Sequence, residues 1–229
     1  IERAREYIAS GACRVRLVRD VANLYIVTRV EAGEHSAEVT IVNRHTLITK
    51  IVHDDEIVYE NEIHESLSDG TDDKALLNVR DILEYADTVD LETVRPTLER
   101  QIELNTAISN EGLEGVYGAQ VGRTLLQVYG DNVRTRARAK PAAGSDARMG
   151  GCSLPVVINS GSGNQGLTVS LPVVEFARDL NVSHEKLLRA LLVSNLVAVH
   201  LKKYIGSLSA FCGAVSAACG AGAAITYLY

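Results

Sequence analysis

Residues 144–172, GSDARMGGCSLPVVINSGSGNQGLTVSLP, hold six of the 18 glycines of the chain. Glycine at this density marks a backbone that turns with positive φ or comes very close to something else. Among these glycines stand Ser160, Ser162, Asn164 and Gln165. Neutral donors and free backbone N–H groups in such a loop suit a small anion such as an amino-acid carboxylate. A tight structural turn between packed helices gives the same pattern, and residue types alone leave both readings open. Asp146 and Arg148, separated by one residue beside Met149-Gly150-Gly151, offer partners for an amino or carboxylate group, or a surface salt bridge.

Other chemistries find weaker support. Gly161-Ser162-Gly163-Asn164-Gln165-Gly166 matches G-x-G-x-x-G, and the apolar run 154–158 before it resembles the first strand of a dinucleotide fold. A Rossmann unit also needs an uninterrupted helix, a second parallel strand and a downstream acid, whereas Pro172 is expected to break the following segment. No Lys-Ser or Lys-Thr follows the glycines, and no zinc-ligand spacing occurs. The histidines are scattered. His35, His53 and His64 are expected in solvent, His45 in a turn, and His200 as a satisfied core residue on an apolar helix. Cys212 and Cys219, seven apart, are expected on one face of one helix as small buried thiols.

Composition narrows the partners. The chain has 229 residues, a net charge of −6 and a pI near 5.5, so it lacks the positive field that nucleic-acid binding relies on. Its four cysteines form no CxxC pair, and a chain of this size needs no disulfide staples, which points to a reducing cytoplasm. Residues 206–229 carry no charge over 24 positions, yet Ala, Gly and Ser gain little from transfer to lipid. They are expected as a central buried helix that neighbours approach closely, not a membrane span. Starting at Ile1 and ending in an apolar run, the chain reads as cut from a longer protein.

The elements that must position these residues follow from periodicity. Residues 2–10 read as a helix closed by Gly11. Residues 13–63 alternate with period two in five runs, CRVRLV, NLYIVTRV, AEVTIVN, TLITKIV and EIVYENEI, with turns at 32–34 and 54–55. This predicts an antiparallel sheet with one wet face. The acidic stretch 66–73 marks a junction, with Asp72 or Asp73 as a helix cap. Helices are then expected over 74–88, 91–109 with Pro96 in its first turn, 117–129, and 184–203 behind Ser183, with 131–138 basic and irregular. The fold class is α+β: a β-rich domain over 1–66 with an N-terminal helix, and a mainly helical, Ala/Gly-rich portion over 74–229.

The strings SDARMGG, LPVVINSGSGNQGLTVSLPVV and LSAFCGA, in this order, resemble the L-cysteine desulfidase group, which is related to the catalytic alpha part of the iron-sulfur L-serine dehydratases. The resemblance implies a cytoplasmic lyase that eliminates sulfide from L-cysteine to give pyruvate and ammonia. It implies an oxygen-sensitive [4Fe-4S] cluster in place of pyridoxal phosphate, with one iron left open as a Lewis acid. On this likeness Cys212 is one cluster ligand. Ser160, Gly161, Ser162, Gly163, Asn164 and Gln165 hold the substrate, with Asp146 and Arg148 near it. Members of the group are longer and carry cysteines that this chain lacks, one of them in a Gly-Cys-Thr-Glu-Pro stretch. The 229 residues alone are therefore expected to bind no cluster and to eliminate nothing. L-serine dehydration and a non-catalytic amino-acid or small-anion binding module are the competing readings, with no membrane or nucleic-acid partner expected. The catalytic base and the oligomeric state, a homo-oligomer included, stay open.

Overall fold

The computed structural model describes residues 2–22, 24–44, 46–61, 76–206 and 212–229. The chain divides into two compact units, residues 1–69 and 70–229, and the fold is α+β. In the first unit, helix α1 (Glu2–Ala9) precedes a four-stranded antiparallel sheet: β1 (Tyr25–Ala32), β2 (His35–Val42), β3 (Ile48–His53) and β4 (Glu56–Glu60), hydrogen-bonded in that order. Pairing puts Ile26, Ile41 and Ile48 in one row and Val39, Ile51 and Tyr59 in the next, all on one face. The other face aligns Arg29 with Glu38 and Lys50 with Glu60 but also carries Val27, Val42 and Val52, so alternation sorts charges from aliphatics only in part. The β3–β4 turn has positive φ at both central residues, Asp54 (48°) and Asp55 (64°), the pattern whose twist matches that of the strands. Asp54 Oδ2 pairs with His35 Nδ1 at 2.8 Å, and Asp54 Oδ1 accepts from the Ser36 N–H at 2.7 Å. His35 and His53 are in solvent as expected.

The run 13–18, expected as a first strand, is not one, and Val15 is 95% exposed. Alternation makes a strand only where a neighbour accepts its ladder. His45, His64, the junction 66–73 and its capping aspartates lie outside the described residues.

The second unit is helical: α2 (Val79–Thr88), α3 (Leu91–Glu114), α4 (Val121–Tyr129), α5 (Val133–Met149), α6 (Gly163–Asp179), α7 (His184–Ile205) and α8 (Ala214–Leu228). Side chains stop the frayed N–H groups at most starts: Asn78, Asp90, Asn132, Ser162 and Ser183 each accept a backbone N–H of the turn they open. The first of these helices thus begins at Val79, not residue 74. Pro96 is the sixth residue of α3, past the first turn.

Two expectations are overturned by packing. Residues 133–149 form α5, not irregular chain. Its buried residues, Thr135, Ala137, Ala139, Pro141, Ala143, Gly144 and Ala147, are too small to register as apolar periodicity. Pro172 lies buried inside α6 without ending it, because Leu167, Val169, Leu171 and Val173, all 2% exposed or less, hold the helix from every side. The central helix is therefore α6. Helix α8 buries only the stripe Ser216, Ala217, Gly220, Ala221, Ala224 and Leu228. Its small residues do serve close approach, since a Cβ on Gly220 would collide with the Ser194 carbonyl of α7. No helix among the described residues is long and apolar enough to cross a membrane.

Candidate functional site

The glycine-rich loop is a tight turn that opens straight into α6. Asn159 and Ser162 exchange two backbone hydrogen bonds of 3.1 and 3.0 Å around Ser160 (φ 47°) and Gly161 (φ 81°). Both central residues are left-handed, which glycine accepts freely and serine does at some cost. Ser162 Oγ then accepts the Gln165 N–H at 3.3 Å, capping the helix. The N–H groups of Gly163 and Asn164, the first two of α6, take no hydrogen bond within the described residues and keep the positive end of the helix dipole free. The apolar run 154–158 forms no strand, so the G-x-G-x-x-G string lacks the element a dinucleotide fold needs before it.

Behind the turn lies a chain of amides. Gln101 of α3 and Asn195 of α7 face each other reciprocally, Gln101 Nε2 donating to Asn195 Oδ1 at 3.1 Å and Asn195 Nδ2 to Gln101 Oε1 at 2.8 Å. Asn159 Nδ2 donates to both Asn195 Oδ1 (2.9 Å) and the Asn195 carbonyl (3.2 Å). A backbone carbonyl only accepts, so the Asn159 amide has one permitted orientation. Its Oδ1 therefore points toward α6 and accepts Gln165 Nε2 at 2.7 Å and Ser160 Oγ at 3.0 Å. Asn105 ties the same region to α3, taking the Val157 N–H on Oδ1 at 2.9 Å and giving Nδ2 to Ser170 Oγ at 3.0 Å.

This chain fixes the far end of Gln165. With Nε2 committed to Asn159, Oε1 is turned away from it; it is fully buried and has no hydrogen-bond partner among the described residues. It lies against Gly213, where a Cβ would collide with it. Gly213 follows Cys212, which is exposed and precedes α8 instead of lying on it. The fold thus brings the Gln165 side chain to the residue next to Cys212. Residues 207–211, the LSAF portion of the LSAFCGA string and the residue before it, lie outside the described residues.

The other anticipated residues divide. Arg148 lies over the start of α6: a Cβ on Gly163 would collide with its guanidinium, and Nη1 donates to Asn164 Oδ1 at 3.3 Å. Asp146 does not join it. Two positions apart on a helix, the side chains point to different faces, and the Asp146 carboxylate accepts the Val121 N–H at 2.8 Å. That bond caps α4, whose own N-cap residue Gln120 is left-handed and makes no side-chain cap. Asp146 and Arg148 thus make no salt bridge with each other among the described residues. Cys152 packs beside Tyr117, whose phenol is pushed up to about 12 by its hydrogen bond to Glu111, by burial and by the thiol. Cys219 is exposed, so the cysteines expected as buried thiols are not. His200 is half-buried, and its Nδ1 has no partner among the described residues. The residue types missed from sequence are Asn159, Gln101, Asn105 and Asn195. An Asn inside the apolar run LLVSNLVAV was their one visible signal.

Residues 22–229 match the serine dehydratase alpha chain family. The chain belongs to this family. It is 56% identical over its whole length to a UPF0597 protein of Lachnoclostridium phytofermentans, covering 55% of that protein. It is 47% identical to one of Desulfitobacterium hafniense and 46% identical to one of Finegoldia magna, covering 53% and 54% of them. The chain thus spans about half the length of the curated relatives it matches. No solved structure matches it.

An iron-sulfur cluster takes three or four thiolates. Among the described residues no three His, Cys, Asp or Glu side chains gather as a metal site. Cys13 lies in the first unit, Cys152 against Tyr117 and Cys219 along α8, so the described residues of this family member do not by themselves fit a cluster. Of the four cysteines, Cys212 is the one that directly precedes Gly213, the residue seated on Gln165.

Proposed function

We infer that this chain is the substrate-holding part of a lyase that removes the β-substituent of an amino acid, in the first instance sulfide from L-cysteine, yielding pyruvate and ammonia. The single observation that supports this reading is the seating of Gly213 on Gln165, which sets Cys212 next to the loop of residues 160–166. The free N–H groups of Gly163 and Asn164, with the Arg148 guanidinium above them, receive the α-carboxylate. The turn of Ser160, Gly161 and Ser162 shapes that end, and Gln165 and Asn159 keep it rigid. Asp146 acts only through the packing of α4.

In the full-length protein Cys212 supplies one thiolate to a [4Fe-4S] cluster whose other ligands lie outside the described residues, in a reducing cytoplasm. The cluster would contribute a Lewis-acidic iron and replace pyridoxal phosphate. L-Serine is the second reading, and the family match favours it, since hydroxyl and thiol substrates share the carboxylate and amine that the loop grips.

The test uses the full-length protein purified without oxygen. Iron and acid-labile sulfide are measured, together with pyruvate from L-cysteine and from L-serine and sulfide from L-cysteine. Pyruvate from either substrate, dependent on Cys212, is the expected result. Iron-free protein that yields pyruvate from neither sinks the reading in favour of a binding module.

A further inference from the structure

At the start of α5, a cleft of about 520 Å³ is lined by Tyr129, Asn132, Val133, Arg134, Thr135 and Arg138. That is room for a small molecule. The charge of its lining has one sign. Arg134 and Arg138 stand one turn apart on the same helical face, where like charges repel, and neither makes an ion pair among the described residues. Arg136 between them shows the alternative, held by Asp131, Glu175 and Asp179 at 2.7, 2.9 and 3.1 Å. Asp131, the acid nearest the cleft in sequence, is thus already engaged. A chain of net charge −6 does not leave two arginines unpaired for want of carboxylates.

Other donors meet them there. Asn132 Oδ1 takes the Thr135 N–H at 3.0 Å, but the N–H groups of Val133 and Arg134, the first two of α5, take no hydrogen bond among the described residues. Thr135 is 1% exposed, and its hydroxyl makes no hydrogen bond among the described residues either. That oxygen is not sealed in, as Thr106 Oγ1 of α3 is, and so opens on the cleft that Thr135 lines. A polar group this deep costs free energy until something pairs with it. Arg138 is held ready: its Nε donates to the Arg134 carbonyl at 3.2 Å and its guanidinium lies over the Tyr129 ring, 5.6 Å from the centroid, which leaves the remaining N–H groups to donate.

We propose that this cleft binds a phosphate dianion, free or as the monoester of a small molecule. Two guanidinium groups, two N–H groups at a helix start and a hydroxyl approach from different sides. They suit a tetrahedral group with several acceptor oxygens better than a planar carboxylate. A phosphate alone fills only part of the cleft, and Val133 and the Tyr129 ring offer an apolar wall to the carbon chain of an ester. Arg148 is at the other end of α5, roughly 21 Å along the axis from Arg134, so this site is separate from the glycine-rich loop.

The test titrates the full-length protein by calorimetry at low ionic strength with inorganic phosphate, glycerol 1-phosphate and, as a carboxylate control, citrate. Wild-type protein is expected to bind at least one of the two phosphates with a Kd below about 1 mM, at least about tenfold more tightly than citrate. Arg134→Gln and Arg138→Gln should each weaken that binding at least about tenfold, and Thr135→Val about threefold. Arg100→Gln, which removes the same charge from an exposed position on α3, should leave it unchanged. The rise in Tm that the phosphate gives wild-type protein should shrink in the same three cleft variants, which shows that they fold. An ester that binds more tightly than inorganic phosphate assigns the cleft to a phosphorylated small molecule and equal affinity assigns it to free phosphate, either of which upholds the proposal. No binding by wild-type protein, binding untouched by Arg134→Gln and Arg138→Gln, an equal loss in Arg100→Gln, or citrate as tight as phosphate overturns it.

Discussion

The two sides of the α6 N-terminus are built from the same few residues, yet they are finished differently. On the inner side Asn159 and the Gln165 Nε2 group have every polar atom assigned, through Asn195 and Gln101, to partners on three elements. On the outer side the Gly163 and Asn164 N–H groups are unassigned, and Arg148 lies exposed above them. Buried amides are costly to leave unpaired because water cannot reach them, and here only Gln165 Oε1 of this amide chain is left so among the described residues, whereas an exposed helix start keeps its N–H groups in reach of solvent. On the proposed function, a loop that reads as one motif is half scaffold and half receptor, and substitutions on the two sides should be felt in different measurements.

The largest effect is expected within the scaffold. Asn105→Leu removes the partners of the Val157 N–H and of Ser170 Oγ in a fully buried setting, and should lower unfolding stability by about 3 kcal/mol in urea titration. A loss below about 1 kcal/mol would erase the distinction between the two sides. On the receptor side, Arg148→Ala should leave the urea midpoint nearly unmoved while raising the KM of the full-length protein for its amino acid about tenfold. Unchanged KM with a lowered midpoint would make Arg148 scaffold too. Asp146→Ala sharpens the contrast, because its carboxylate caps α4. It should cost about 1 kcal/mol in stability and leave KM alone.

The smallest effect is expected far from the loop, in the sheet. Asp54 is held below the usual carboxylate range, first by its hydrogen bond to His35 and then by the Ser36 N–H. A folded-state value below the unfolded one means that its contribution is present above the ordinary aspartate pKa and fades as pH falls through the lowered value. Amide shifts of Ser36 followed by NMR from neutral pH downward should therefore change only in strongly acidic solution. Asp54→Asn should remove that step, and a step near the ordinary aspartate value would contradict the lowered carboxylate.

Much of the fold was legible because its signals are local. Period-two alternation gave the strands from Tyr25 to Glu60, and Ser183 before an apolar run gave the start of α7. The exceptions share a cause. Alternation at 13–18 found no neighbour to pair with, and α5 hid behind alanines and threonine that bury well without being strongly apolar. Pro172 was misjudged because the cost of one lost helix bond is small against the burial of a whole central helix.

The amide side chains of Gln101, Asn105 and Asn195 were overlooked in the sequence, and Asp146, expected near the substrate, takes the Val121 N–H and caps α4. Composition, helix periodicity, turn chemistry and the glycine-rich string were determined by the chain itself, because each depends on residues within a few positions of one another. Which amide faces which, where the Gln165 oxygen points and what stands beside Cys212 were decided only in three dimensions. Most of those contacts join residues tens of positions apart, Asn195 of α7 to Gln101 of α3 and to Asn159, and a hydrogen bond at that range leaves no periodic trace in the sequence.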